Sequence, residues 1–294
     1  MIKFSFLFTL SFFASTSLFA FQDMEDVKIE VIPVNENIYM LMGRGGNIGV
    51  SVGDNGVFMI DDQYAPLSAK IRQAIKSISE QPVKFLVNTH HHGDHTGGNS
   101  NFEKEGTLIF AHENVRKRLK EDKKNTDQLG LPIITFDHKM HLHLNGDDIL
   151  VVHVHNAHTD GDALIYFPKS NVLHTGDTFF NGMFPYIDLK GGGSVAGDIE
   201  AAKTGLMLIN ENTKIIPGHG PLATYLDYKN YLNMLEGIKR NVMAAMKAGS
   251  SKEEIVADES LTSGYITDAA AEKAFITGPK IRATYYDSLS NNKD

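Results

Sequence analysis

The sequence predicts an α/β fold built as one compact domain, and three observations predict it. Apolar, β-branched runs recur along the chain, each ending in a glycine-containing loop that carries histidine or aspartate. Parallel strands gather functional residues at one edge of a sheet in this way. Residues 226–247 set Tyr231, Leu232, Leu235 and Ile238 at helical spacing, which makes an amphipathic helix packed against the strands. Finally, 294 residues with 42% hydrophobic content can bury one large core, and no Pro/Ser-rich linker, charge block or low-complexity tract divides them.

The elements follow in order. Lys3, the apolar run 4–19 and the small residue Ala20 read as an export leader over residues 1–20. A signal anchor is the competing reading, although the run is short for a full span. The expected mature chain is a single domain over 21–294, periplasmic or secreted, with a helical extension from about 226 to 294. Cysteine is absent, which excludes disulfides, thiolate ligands and a lipidated N-terminal cysteine. Removing the leader takes away Lys3 and no acid, leaving 27 basic against 36 acidic residues, a net −9. That sign argues against nucleic acid and anionic membranes as partners and leaves a small-molecule substrate.

A strand over 56–60 ends in Asp61 and Asp62. Before it, Gly43 to Asn47 reads as a mobile flap; it lacks the Gly-Lys-Ser/Thr ending of a phosphate loop. The strand 82–87 runs into His90, His91, His92, Gly93, Asp94 and His95. Residues two apart on extended chain point the same way, so His90 and His92 converge on one ion, while Asp94 and His95 reach a neighbouring position after Gly93. Imidazole is the commonest zinc ligand and carboxylate suits a harder second site, so the segment suggests two metals. The alternative is a solvated polar turn or an adventitious histidine tag.

Three later segments repeat the pattern. His158 follows the strand 149–154 and completes a three-histidine set; Asp177 ends the strand beginning at Val172, placed to bridge two ions; His219 sits between glycines after the strand 214–216. One histidine at a strand end is more often structural than a ligand, but four such elements in series point to a site. His141 and His143, like His153 and His155, alternate along strands and read as exposed polarity. His91 is the variable position of its motif, and His112, His138 and His174 have no evident partner.

In this order, HHHGDH, AHTDGD, HTGDTFF and PGHG resemble the metallo-β-lactamase-fold hydrolases, from about Val27 to about Thr224. The segment Ile60, Asp61 and Asp62 matches that family's upstream aspartate, which supports the ligand loop. The resemblance implies a four-layer αββα sandwich with a dinuclear site along one edge of the paired sheets. It implies that His90, His92 and His158 hold the first Zn2+, that Asp94, His95 and His219 hold the second, and that Asp177 bridges. It further implies a metal-bound hydroxide attacking a carbonyl, with Asp94 as the catalytic residue that orients it.

The sequence departs from the cysteine-containing β-lactamases, having Asp177, Thr178, Phe179 and Phe180 where those carry a thiolate and a nearby lysine. An aspartate bridge resembles the thioesterases and lactonases of the superfamily and also tolerates iron or manganese. In the glycine-rich stretch 184–194, Tyr186, Lys190 or Ser194 is a candidate substrate contact, an ordinary turn being the alternative. Residues 250–294 alternate short helix-like pieces around Gly264 and Gly278. The leading expectation is a dinuclear zinc hydrolase of a cyclic amide, lactone, ester or thioester, β-lactams included. A mononuclear iron persulfide dioxygenase is the alternative, disfavoured by the presence of His95 and His219, and a non-catalytic metal-binding protein is the third.

Overall fold

Seven strands in sequence order make the first sheet. Strands β1 (Glu30–Pro33), β2 (Ile38–Met42), β3 (Ile48–Ser51) and β4 (Val57–Ile60) pair antiparallel across short turns. Strands β5 (Val83–Val87), β6 (Leu108–His112) and β7 (Ile134–Phe136) continue it in parallel. Parallel pairing requires a crossover, and helices α1 (Ser68–Lys76), the one-turn α2 (Gly93–Thr96), α3 (Asn99–Glu103) and α4 (Glu113–Glu121) lie in those connections. The computed structural model describes residues 24–123, 128–272 and 274–291; the leader expected over residues 1–20 lies outside them.

The second sheet runs β13-β12-β11-β10-β9-β8. It comprises β8 (Lys139–Leu144), β9 (Asp147–His153), β10 (Ala163–Phe167), β11 (Val172–His174), β12 (Lys214–Ile216) and β13 (Ala223–Thr224). All its pairs are antiparallel except β11 with β12, whose crossover contains helix α5 (Val195–Leu208). Helices α6 (Tyr225–Lys247), α7 (Lys252–Ala257) and α8 (Gly278–Asn291) follow. Helix α6 starts on a capping box, in which Thr224 accepts from the Asp227 amide and Asp227 accepts from the Thr224 amide.

Three apolar layers hold these pieces. Between the sheets, Phe58, Ile60, Val87 and Phe110 face Val151, Ile165, Phe167 and Ile216. Outside the first sheet, Ile71 and Ile75 of α1 and Phe102 of α3 cover Leu41, Val50 and Met59. Outside the second, Ile199, Leu235, Ile238 and Tyr285 from α5, α6 and α8 cover Leu164, Leu173 and Ile215. Each fully buried side chain of this kind contributes about 1.5–3 kcal/mol. The layers stack as helix, sheet, sheet, helix, the expected αββα sandwich. The ends of β4, β5, β11 and β12 lie along one edge, which places their following loops together.

Candidate metal centre

Each of these strand ends delivers one part of the site. His90 and His92 lie just beyond β5, and α2 carries Asp94 and His95. His158 stands in the β9–β10 connection, Asp177 in a 3-10 turn (Gly176–Thr178) after β11, and His219 after β12. A parallel bridge between Phe180 and His219 ties the last two loops together. Two glycines are obligatory here because a Cβ would collide with the site. One at Gly218 would sit 2.1 Å from Asp177 Oδ1, and one at Gly46 would sit 2.1 Å from the His95 ring.

All seven sequence-predicted residues converge, in two groups. Donor atoms of His90, His92, His158 and Asp177 lie within 4.8 Å of one another, and so do those of Asp94, His95 and His219. Asp177 faces both. Its Oδ2 is 3.8 Å from His90 Nε2 and 3.6 Å from His158 Nε2, while its Oδ1 is 3.0 Å from His95 Nε2 and 3.3 Å from His219 Nε2. Asp94 Oδ2 stands 3.4 Å from His219 Nε2 and 3.7 Å from His95 Nε2.

The hydrogen bonds behind the rings fix which nitrogen each presents. His158 Nδ1–H donates to the Tyr186 carbonyl at 2.6 Å, leaving Nε2 as a lone pair. His92 Nε2–H donates to Asp188 Oδ2 at 3.0 Å, leaving Nδ1. Those two lone pairs point at each other across 2.9 Å. The Thr89 hydroxyl donates to Asp61 Oδ2, so it accepts from His90 Nδ1–H and leaves His90 Nε2 free. His95 Nδ1–H donates to Asp61 Oδ2 at 2.7 Å, which turns its Nε2 toward Asp177 Oδ1. His90 Nε2 is buried and lacks a hydrogen-bond partner, while His95 Nε2 and Asp177 Oδ1 face each other at 3.0 Å. Facing acceptors in a dry site repel unless a proton or cation lies between them. A donor set of imidazole nitrogens and carboxylate oxygens therefore fits a divalent metal of the zinc type.

Asp61 is the brace of this arrangement. Its carboxylate also accepts from the Thr89 amide at 2.7 Å, and its backbone holds a left-handed φ of 62°. Aspartate tolerates that region better than most residues, and strain of this kind is sustained where the surroundings over-determine it.

Charge is distributed unevenly. Burial, helped by the neighbouring His95, pushes His90 well below the ordinary imidazole range, and burial takes His158 down to about 4. Both are neutral donors at pH 7. On the other side burial again opposes charge, but Asp177, Asp94 and Asp61 together outweigh it and raise His95 well above its usual value. Asp177 and Asp94 likewise overcome burial at His219 and bring it up to about 9. Burial would raise Asp177, yet His95 and His219 prevail and hold it well below the carboxylate range. This corner attracts positive charge.

A cavity of about 650 Å³ opens over Asp94, Asp177 and His219. Several expectations change around it. The 43–47 stretch is a pinned wall rather than a mobile flap. Asn47 donates to the Pro217 and Gly220 carbonyls, Gln63 donates to the Gly46 carbonyl, and the Gly46 amide donates to the Asp94 carbonyl. In the 184–194 stretch Tyr186 lines the cavity, whereas Ser194 caps α5 and Lys190 offers its amide to Asp188. The residue missed there is Asp188, which holds His92.

His153 is not exposed polarity; it is buried, donates to the Asp162 carbonyl and stacks on His112 with centroids 3.7 Å apart. His112 therefore has a partner, and so does His174, which donates to the Asn47 carbonyl and accepts from the Gly176 amide. His91, His92 and Asp188 also converge, but the His92–Asp188 hydrogen bond accounts for that group.

A family model described as the metallo-beta-lactamase superfamily matches residues 41–230. The hydroxyacylglutathione hydrolase of Pelagibacter ubique is 28% identical over 177 residues, covering 56% of this chain and 66% of that protein. Metallo-beta-lactamase IND-1 of Chryseobacterium indologenes is 28% identical over 172 residues, covering 54% and 68%. The 2,4-dinitroanisole O-demethylase subunit alpha of Nocardioides sp. is 29% identical over 132 residues, covering 44% of this chain and only 40% of that protein. Among solved structures, DIM-1 metallo-beta-lactamase superposes with a TM-score of 0.62 at 21% identity, over 72% of this chain and 99% of its own. A metallo-beta-lactamase from Pontibacter korlensis does so with a TM-score of 0.62 at 19% identity, over 71% and 99%. These structures share the fold, and with a family match spanning more than half of its length the chain belongs to the metallo-β-lactamase superfamily.

Proposed function

We propose that the protein is a hydrolase working with two zinc ions, which cleaves a carbonyl compound of the lactone, ester, thioester or cyclic amide class. The observation that carries the reading is the two-sided Asp177, whose separate oxygens address the two groups of histidines. His90, His92 and His158 would hold one ion, Asp94, His95 and His219 the other, and Asp177 both. Zinc ions so held acidify water enough to supply a nucleophile at neutral pH and polarise a carbonyl.

The chain's own residues do the rest. Asp94 reaches the cavity, and although burial raises its pKa, His95 and His219 bring it below the usual carboxylate value. It therefore stays a hydrogen-bond acceptor and orients the attacking water, the role of the catalytic residue in this scheme. Water gives its hydroxyl to the acyl carbon, the bond from that carbon to oxygen, sulfur or nitrogen breaks, and the proton leaves with the departing group. Phe180, stacked on His219 with centroids 5.1 Å apart, excludes bulk water on that side. Relatives carrying the names hydroxyacylglutathione hydrolase and metallo-beta-lactamase support carbonyl hydrolysis. Phe180 lines the cavity after Asp177, and among the described lining residues Arg44 supplies a cation, so lactones, esters, thioesters and cyclic amides all stay in the substrate class.

Metal analysis and a substrate panel test the proposal. The expected result is two zinc ions per chain with turnover of at least one lactone, ester or thioester. Asp177→Ala is expected to lose metal and at least about a hundredfold in kcat/KM. Full activity in that variant refutes the scheme, and one iron per chain with oxygen consumption replaces it by an oxidoreductase.

A further inference from the structure

We propose that the substrates carry an aromatic group and that Phe275, in the C-terminal extension, forms the subsite that receives it. The inference rests on the hydrolase reading and specifies which carbonyl compounds enter. One wall of the cavity is made by Ala274, Phe275 and Ile276, residues beyond the matched family segment 41–230. Ile276 is buried and anchors this wall, and Lys280 fixes it further by donating to the Phe275 carbonyl with its ammonium 5.7 Å from the ring centroid. The Phe275 side chain itself is 70% exposed.

A lone exposed phenylalanine needs no explanation; this one matters for what it continues. Its ring meets Tyr186 edge-on, with centroids 5.5 Å apart at 81°. Tyr186 in turn lies near-parallel to His92, with centroids 5.8 Å apart at 28°. Because the Tyr186 carbonyl accepts from His158, this column is bolted to the candidate metal centre. Phe180, which stacks on His219, lines the same cavity, with Met183 and Phe184 also in the wall. Ring faces and edges thus run from His92 through Tyr186 to Phe275, with a second aromatic pair at His219. An aryl group between them gains offset and edge-to-face partners, whereas a small polar acyl group leaves the Phe275 ring in water. A volume of about 650 Å³ lies within the range of small-molecule sites and holds a ring together with its carbonyl group.

The test compares the phenylacetyl and acetyl esters of one thiol on zinc-loaded wild-type protein, Phe275→Ala and Phe275→Leu. The leaving thiol is the same in both, and the intrinsic reactivity of each acyl group cancels between wild type and variant, so the change in the ratio of kcat/KM reads the acyl subsite. The wild type is expected to favour phenylacetyl by about tenfold or more, Phe275→Ala to lower that ratio about tenfold, and Phe275→Leu to fall between. The ring is largely exposed, so its removal spares the fold, which circular dichroism and zinc content check.

A second arm measures binding of phenylacetate and acetate to the same proteins by calorimetry, with a wild-type margin of at least about fivefold that Phe275→Ala abolishes. No margin in the wild type, or one that Phe275→Ala leaves intact, overturns the proposal. Turnover of neither thioester nor any member of the lactone and ester panel, with the phenylacetate margin retained, rejects the hydrolase reading and keeps the aryl subsite. Hydrolysis of both without a margin does the reverse.

Discussion

Asp188 lies outside the seven converging side chains yet decides which nitrogen His92 offers them. Its Oδ2 takes the His92 Nε2–H, while Oδ1 is held by the amides of Lys190 at 3.1 Å and Gly191 at 2.8 Å. The hydrogen bond from His92, the largest influence, takes the Asp188 carboxyl far below its ordinary value, so it remains an acceptor at any working pH. Removing such a partner typically costs ~10–100-fold in metal affinity. Asp188→Ala is expected to weaken zinc binding by that much, and Asp188→Asn, which keeps an acceptor and the loop, by less; competition with a chromophoric chelator measures both, and unchanged affinity in Asp188→Ala counts against the assignment. The seven side chains were legible because polar residues at glycine-flanked strand ends repeat four times. Asp188 was not, because its partner lies 96 residues earlier in the chain and no local pattern joins them. Phe275 was hidden for the same reason.

At the scale of elements, the strands were legible wherever apolar runs had to be buried, and the errors came from reading polarity without register. The period of two that turns Ile149 and Val151 inward on β9 also turns His153 inward, so its burial could have been inferred from alternation alone. Helix α8 was obscured differently. Ile281 and Tyr285 make a buried stripe, but Arg282 beside them reads as surface. It is 1% exposed, with its guanidinium forked onto Asp268 at 2.8 Å and donating also to Thr262 Oγ1 and the Val256 carbonyl. These bonds pin α8 to the end of α7 and to the segment that leads to the cavity wall. Breaking a fully buried ion pair costs ~3–5 kcal/mol, and here Asp268 is partly exposed and rehydrates. Arg282→Ala is accordingly expected to lower unfolding free energy by about 2 kcal/mol; urea denaturation reads this, and a change under about 0.5 kcal/mol, the surface-substitution range, excludes the strut.

For the whole molecule, stability and metal content are linked through the proton on His219. In the metal-free protein Asp177 and Asp94 overcome burial and lift this histidine to about 9 from its ordinary 6.5. The folded chain therefore binds that proton more tightly than the unfolded chain. The resulting stabilisation is complete below about 6.5 and disappears as pH rises through about 9. A divalent ion on Asp94, His95 and His219 needs the same nitrogen as a lone pair, so it must expel the proton. His90 and His158 are already neutral at pH 7 and ask no such exchange at the other position. Between pH 6.5 and 9 the metal-free protein thus loses stability from this contact while the competing proton becomes scarcer. At a fixed free zinc concentration, the Tm difference between zinc-loaded and chelator-treated protein is expected to widen steadily over that range. Calorimetry at pH 7 in two buffers of different ionisation enthalpy should find about one proton or more released on filling the second site. A constant Tm difference with no proton release would mean that neither His95 nor His219, both raised above the ordinary imidazole value, gives up a proton to an ion, and would remove the second site from the scheme.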